Sequence, residues 1–237
     1  MSFHALRLVA PLALLASPLS AQYLREVGSA PAPKTLVGIN LQLGVPQGEF
    51  RNFVGTGGGL GGNITFMVDR NRHFGLRLWA SWIEYGRTTE RVPLSPSLPG
   101  LDVDLTTSND IISFGFGPEL HLGSGPLRPY LHAAIGTSDF ATTTSVEGSN
   151  NSSPFASSTN FNDWTFAWYG GGGLMYLVSS KNNPVYIDAG VRYQVHGETR
   201  YLREGSIQSD NNGGVIIRPV QSQTDLLVIH LGVQVGI

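Results

Sequence analysis

A chain of 237 residues is long enough for one ordinary domain or one barrel, and composition separates the two. Only 14% of its residues are charged and 30 are glycine, too few charges and too many glycines for an ordinary soluble α/β enzyme. A formal net charge of -2, scattered basic residues and the lack of cysteine exclude a basic nucleic-acid stripe, a disulfide framework, a thiolate metal site and a lipid-modified cysteine anchor.

The chain begins in the pattern of an export signal. Arg7 follows a short polar start, Leu8 to Ala16 is apolar, and small residues stand at Ser20 and Ala21. The apolar run is well short of the roughly 20 residues that a helical span needs, and Pro11 interrupts it. The expected organisation is a signal peptide over 1-21 cleaved after Ala21, a short lead over 22-35, and one barrel domain over 36-237.

From Thr35 onward the hydrophobic pattern has a period of two, which a helix cannot keep on one face. In the first segment Val37, Ile39, Leu41, Leu43 and Val45 alternate with Gly38, Asn40, Gln42 and Gly44. Leu60, Ile64, Phe66 and Val68 mark a second strand, and Phe74, Leu76, Leu78, Ala80 and Trp82 a third, with Arg77, Trp79 and Ser81 opposite. The fourth sets Ile112, Phe114, Phe116, Leu120 and Leu122 against Ser113, Gly115, Gly117, Glu119 and His121. Leu131, Ala133 and Ile135 face away from Tyr130 and His132 in the fifth, and Phe166, Trp168, Leu174, Tyr176 and Val178 away from Tyr169, Gly171 and Gly173 in the sixth. The seventh alternates Val185, Ile187, Val191, Tyr193 and Val195 with Tyr186, Asp188, Gly190, Arg192, Gln194 and His196. The last runs through Leu227, Ile229, Leu231, Val233, Val235 and Ile237, opposed by Val228, His230, Gly232, Gln234 and Gly236. Eight strands is an even number, as single-chain bacterial barrels have.

The connections alternate between long and short. Long stretches are Pro46 to Gly58, Arg87 to Asn109, Ala141 to Asn162 and Arg200 to Thr224; tight polar turns are Asp69 to His73, Gly123 to Pro126 and Ser179 to Asn183. All long connections therefore leave from one rim, and their Ser, Thr, Asn and Gly content, notably Thr142 to Asn160, reads as solvated external loop. The expected fold class is all-β: an eight-stranded antiparallel up-and-down transmembrane β-barrel with short periplasmic turns and long external loops. A secreted lipocalin-like barrel is the rival, because it also has eight strands but is apolar inside. The polar face here is mostly glycine, serine and asparagine, with Lys34 and Lys181 the only lysines, which suits a crowded lumen better than a water-facing exterior. Apolar-face aromatics also gather near strand ends, Trp82, Trp168 and Tyr193 toward the long connections and Phe74 and Tyr176 toward the short turns.

On these features, with the glycine-rich run Phe114 to Pro118 and the Arg128-Pro129-Tyr130-Leu131 start of the fifth strand, the chain resembles the small bacterial outer-membrane β-barrel proteins. That group comprises the outer-membrane protein A barrel and the eight-stranded adhesion and invasion barrels. The resemblance covers Thr35 to Ile237 and departs at Ile237, where such chains commonly carry an aromatic residue. It implies residence in the outer membrane of a Gram-negative cell and a structural or adhesin-like surface role through the external loops. The implied partners are outer-membrane lipid and lipopolysaccharide, the outer-membrane assembly machinery and an extracellular ligand at the loops, with no nucleic acid and a monomeric state.

An eight-stranded lumen is about filled by side chains, so inward charges must pair. Arg77 is expected near Glu119, Arg128 one step away, and Asp188 and Arg192 on the seventh strand with His230 beside them, as one structural network. No residue is assigned as catalytic, cofactor-binding or metal-binding, and no cofactor is expected. Two other readings compete: a lipid-modifying or rim-site hydrolase using His196 with Glu198 or Asp139, and a narrow solute channel. His121, His132, His196 and His230 all fall on the lumen face, and His73 in a turn. Gly57, Gly59 and Gly62 have dinucleotide-loop spacing but no helix follows them, and Asp102 with Asp104 supplies too few oxygens for calcium.

Overall fold

The computed structural model describes residues 33–93, 102–123, 125–148, 151–180, 183–202, 206–209 and 215–237. The signal segment and most of the lead lie outside the described residues. Twelve strands follow in chain order: β1 Thr35–Pro46, β2 Gly57–Met67, β3 Phe74–Pro93, β4 Asp102–His121, β5 Leu127–Gly148, β6 Asn151–Ser179, β7 Val185–His196, β8 Glu198–Tyr201, β9 Ile207–Ser209, β10 Val215–Ile217, β11 Val220–Gln223 and β12 Leu226–Gly236. Eight of them close a barrel in the order β1-β12-β7-β6-β5-β4-β3-β2, every pair antiparallel.

Closure is made by the two most regularly alternating segments. β1 and β12 pair without a break from Leu36↔Gly236 to Pro46↔Leu226, and Thr35 and Ile237 exchange both backbone hydrogen bonds, at 3.1 and 2.8 Å. No edge is left in the barrel wall, which hydrocarbon requires because each unpaired backbone group there costs several kcal/mol. The alternation decides the facing: Ile39 and Leu41 are 73% and 67% exposed, whereas Asn40 and Gln42 between them are 8% and 6% exposed. Each of the eight wall strands turns a row of apolar side chains outward in the same way, opposite to a lipocalin-like barrel. Trp82, Trp164, Phe166, Trp168 and Tyr193 are exposed toward the long-connection end and Phe74 and Tyr176 toward the short-turn end. Two of the upper aromatics hold polar partners, Trp82 Nε1 donating to Asp110 at 3.0 Å and Tyr193 Oη to Asp225 at 3.2 Å, the amphipathic placement of a membrane-interface belt.

The rim departs from the sequence reading. Two of the four long connections, expected as irregular loops, continue the ladder instead, from Gly86↔Asn109 to Pro93↔Asp102 and from Thr142↔Phe161 to Gly148↔Asn151. The physical reason is the threonine content taken for loop polarity. β-Branched threonine favours a pleated strand, and its hydroxyl pairs across strands. Thr89 meets Thr106 at 3.1 Å and Thr107 meets Thr144 at 3.0 Å, while Arg91 donates to Asp104 at 3.0 Å. β3 to β6 thus rise beyond the barrel as a four-stranded extension, whereas β1, β2, β7 and β12 stop at the wall. The first connection instead folds into a 3-10 turn at Phe50–Asn52, and the last carries two small sheets, β8 with β11 and β9 with β10.

Candidate functional site

The lumen has three layers, built by residues that alternate inward along the wall strands. At the short-turn end Leu36, Tyr130, Met175, Leu177 and Tyr186 form an apolar cluster. At the other end Ile83, Tyr85, Ile111, Phe140, Leu226 and Val228 form a second one. Into this second cluster the 3-10 turn inserts Phe50, fully buried, with edge-on rings at Tyr201 (5.0 Å), Tyr85 (5.8 Å) and Phe140 (5.9 Å). The first connection is therefore a stopper in the barrel mouth. Sequence reasoning missed it, although Phe50 and Phe53, two rings within a connection bounded by Gly48 and Gly55, were the available signal.

Between the apolar layers lies the polar network. Arg77 and Glu119 form an ion pair, as the sequence spacing predicted, and His121 Nε2 lies 2.8 Å from the other carboxylate oxygen. Both are brought together because Glu119 on β4 pairs with Gly75 on β3, two residues from Arg77 on the same face. Tyr130 Oη donates to Asp188 at 2.8 Å, Gln234 Nε2 donates to Asp188 at 2.9 Å, and Asn63 Nδ2 donates to Gln234 at 3.0 Å. His230 Nε2 lies 3.4 Å from Asp188. That chain crosses from β2 through β12 and β7 to β5, so the middle of the lumen is tied from wall to wall. Arg128 lies apart from this network, its Nε on the Gly125 carbonyl at 3.1 Å and its guanidinium over the Tyr186 ring at 5.1 Å. Arg192 stacks on Trp79, 3.7 Å from the ring centroid, rather than on a carboxylate.

His196 is not assembled with Asp139 or Glu198. Its Nδ1 lies 2.6 Å from the Thr224 carbonyl, which can only accept, so Nδ1 carries the hydrogen and Nε2 accepts from Ser138 Oγ at 2.9 Å. Ser138 also contacts Ser113 at 2.7 Å and Tyr169 at 3.2 Å, and is fully buried. A serine paired with a neutral histidine has nucleophile-and-base geometry, but here the pair lies under the Phe50 stopper, where it joins β4, β5, β6 and β7. Glu198 instead accepts from Gln221 at 3.1 Å. Gly57 and Gly59 belong to β2 and not to a phosphate loop, and Asp104 is engaged by Arg91.

A closed eight-stranded wall, apolar outside, polar and packed within, defines the class of small outer-membrane-type β-barrels. Solved structures of that class share the fold. The outer membrane protein OprG from Pseudomonas aeruginosa aligns with a TM-score of 0.52 at 14% identity, covering 90% of this chain and 99% of that one. Neisserial surface protein A (NspA) aligns at 0.47 with 14% identity over 86% and 97% of the two chains. Ail, the attachment invasion locus protein of Yersinia pestis, aligns at 0.44 with 12% identity over 86% and 97%. No protein-family model and no curated protein matches the sequence, so the likeness is one of fold.

Proposed function

We propose that this protein spans a bacterial outer membrane as a closed, non-catalytic barrel whose work is done at the surface by the β3–β6 extension. The observation that carries this reading is the pairing of an apolar, exposed belt with a lumen tied across its middle and apolar at both ends. A wall of this kind anchors and does not conduct, which leaves the ladder beyond the aromatic belt as the part available to a partner. A regular extension presenting threonine hydroxyls and the Arg91–Asp104 pair is a rigid platform, and rigid platforms bind at lower ordering cost than mobile loops. An extracellular ligand there, lipopolysaccharide around the belt and a monomeric state complete the proposal.

Spin labels at Leu41, Val233, Gln42 and Gln234 test the facing. The first two are expected to report lipid and the last two a packed interior, and the reverse result would sink the proposal. On gels of the outer-membrane fraction the unboiled protein is expected to migrate differently from the boiled one, and planar bilayers are expected to stay silent.

A further inference from the structure

The turn between β2 and β3 carries more positive charge than the fold around it uses. Its sequence is Asp69-Arg70-Asn71-Arg72-His73. Asp69, the one acid in it, has its Oδ1 committed to the His73 and Phe74 N–H groups at 2.8 Å each. Among the described residues, neither Arg70 nor Arg72 lies within ion-pair distance of a carboxylate. At the opposite end of the barrel Arg87, Arg91 and Arg200 do pair, with Glu84, Asp104 and Asp163. Lys34, whose carbonyl accepts from the Met67 N–H at 2.8 Å, adds a third exposed cation at the same rim.

The turn is also fixed in height. Val68 and Phe74, both exposed on the outer face, flank it, and the Val68 N–H donates to the Phe74 carbonyl at 2.9 Å. In an outer membrane these two side chains end the acyl layer, so guanidinium groups just beyond them come level with the lipid phosphates. Arg72 keeps its place at a φ of 59°, the one positive value outside glycine among the described residues. Glycine or asparagine suits that region better than arginine, so the turn holds a guanidinium where its backbone would be more relaxed without one. Resting on the outer-membrane reading above, we infer that the β2–β3 turn binds the phosphate of an anionic phospholipid in the inner leaflet, through Arg70 and Arg72 with Lys34 beside them. Guanidinium forks match phosphate oxygens in shape and charge. The lipid is the source of that phosphate because Val68 and Phe74 hold the turn at the acyl boundary.

The chain has no cysteine, so a fluorophore on Asn71→Cys reports from this turn alone. One on Gly125→Cys, where an added side chain meets nothing, reports from the uncharged β4–β5 turn. The full barrel is folded into phosphatidylcholine vesicles holding a trace of phosphatidylglycerol or of phosphatidylcholine, each with the same nitroxide quencher on its acyl chain. At Asn71 the phosphatidylglycerol is expected to quench about fivefold more effectively, the factor that one cation near an anionic surface supplies. At Gly125 the two lipids are expected to quench alike. Molar salt is expected to erase the preference, and excess inorganic phosphate at constant ionic strength to leave it in place. Arg70→Gln with Arg72→Gly, which relaxes the backbone, is expected to keep the heat-modifiable form and lose the preference. Equal quenching by the two lipids at Asn71, a preference that survives in the double variant, or one that inorganic phosphate removes overturns the proposal. A protein with no heat-modifiable form in either vesicle overturns the outer-membrane reading itself, whereas insertion with equal quenching overturns this site alone.

Discussion

Replacing Arg77 with leucine removes one partner of a deeply buried ion pair in the lumen. Truncating one side of such a pair costs about 3–5 kcal/mol, because the remaining charge stays buried without compensation. Glu119 would keep His121 at 2.8 Å, which places the loss at the lower end, about 3 kcal/mol, or on the order of 150-fold in the unfolding equilibrium. Removing both charges, as Arg77→Leu with Glu119→Leu, leaves no orphaned ion and is expected to recover most of that loss. Equilibrium urea unfolding in detergent, followed by tryptophan fluorescence and by the heat-modifiable gel shift, reads both values. Conductance should remain absent in each variant, since the Asn63–Gln234–Asp188–Tyr130 chain and both apolar layers are untouched. A single variant within about 1 kcal/mol of wild type, or one with steady conductance, would refute the view that this pair is structural.

Phe50→Ala removes a fully buried ring from the mouth cluster and is expected to destabilise by about 3 kcal/mol; protease cleavage between Gln47 and Thr56, seen in the variant and not in wild type, reports release of the stopper. Leu41→Arg on the outer face is expected to cost about 2–4 kcal/mol in lipid if it sits near the midplane, whereas a soluble barrel would tolerate it, so refolding into vesicles distinguishes the two. The Asp69 carboxylate in the β2–β3 turn is held below its ordinary range by the backbone N–H groups of Phe74 and His73, each at 2.8 Å. A depressed carboxylate stabilises above its unfolded pKa and loses that contribution as pH falls through the folded value, so Asp69→Asn should weaken the turn at neutral pH and match wild type in strong acid, as read by hydrogen exchange of the Phe74 amide. At Gly136 a Cβ would lie 1.9 Å from the Phe114 carbonyl oxygen, so Gly136→Ala is expected to break the β4–β5 ladder and abolish the heat-modifiable form.

Strand number, facing and closure were legible in the chain because side-chain alternation is a local property: Leu41 and Gln42 differ in environment for the same reason that they differ in polarity. The Arg77–Glu119 pair was legible for a related reason, since Arg77 stands as far beyond the Asp69–His73 turn as Glu119 stands before the Gly123–Pro126 turn, which puts the two at one height above the short-turn rim of neighbouring strands. Where partners lie on strands that are not neighbours in the wall, the sequence was silent. Arg192 and Trp79 lie on β7 and β3, which are not neighbours in the wall, and only the curvature of the closed barrel brings them face to face. His196 finds Ser138 across the intervening β6 in the same way, not Asp139 or Glu198. The long connections were the other blind point, because threonine serves equally well in a solvated loop and in a strand, and only the pairing of Thr107 with Thr144 decides between them. Local periodicity therefore determined the wall, while contacts across the lumen, which depend on the summed geometry of eight strands, were decided by the tertiary structure alone.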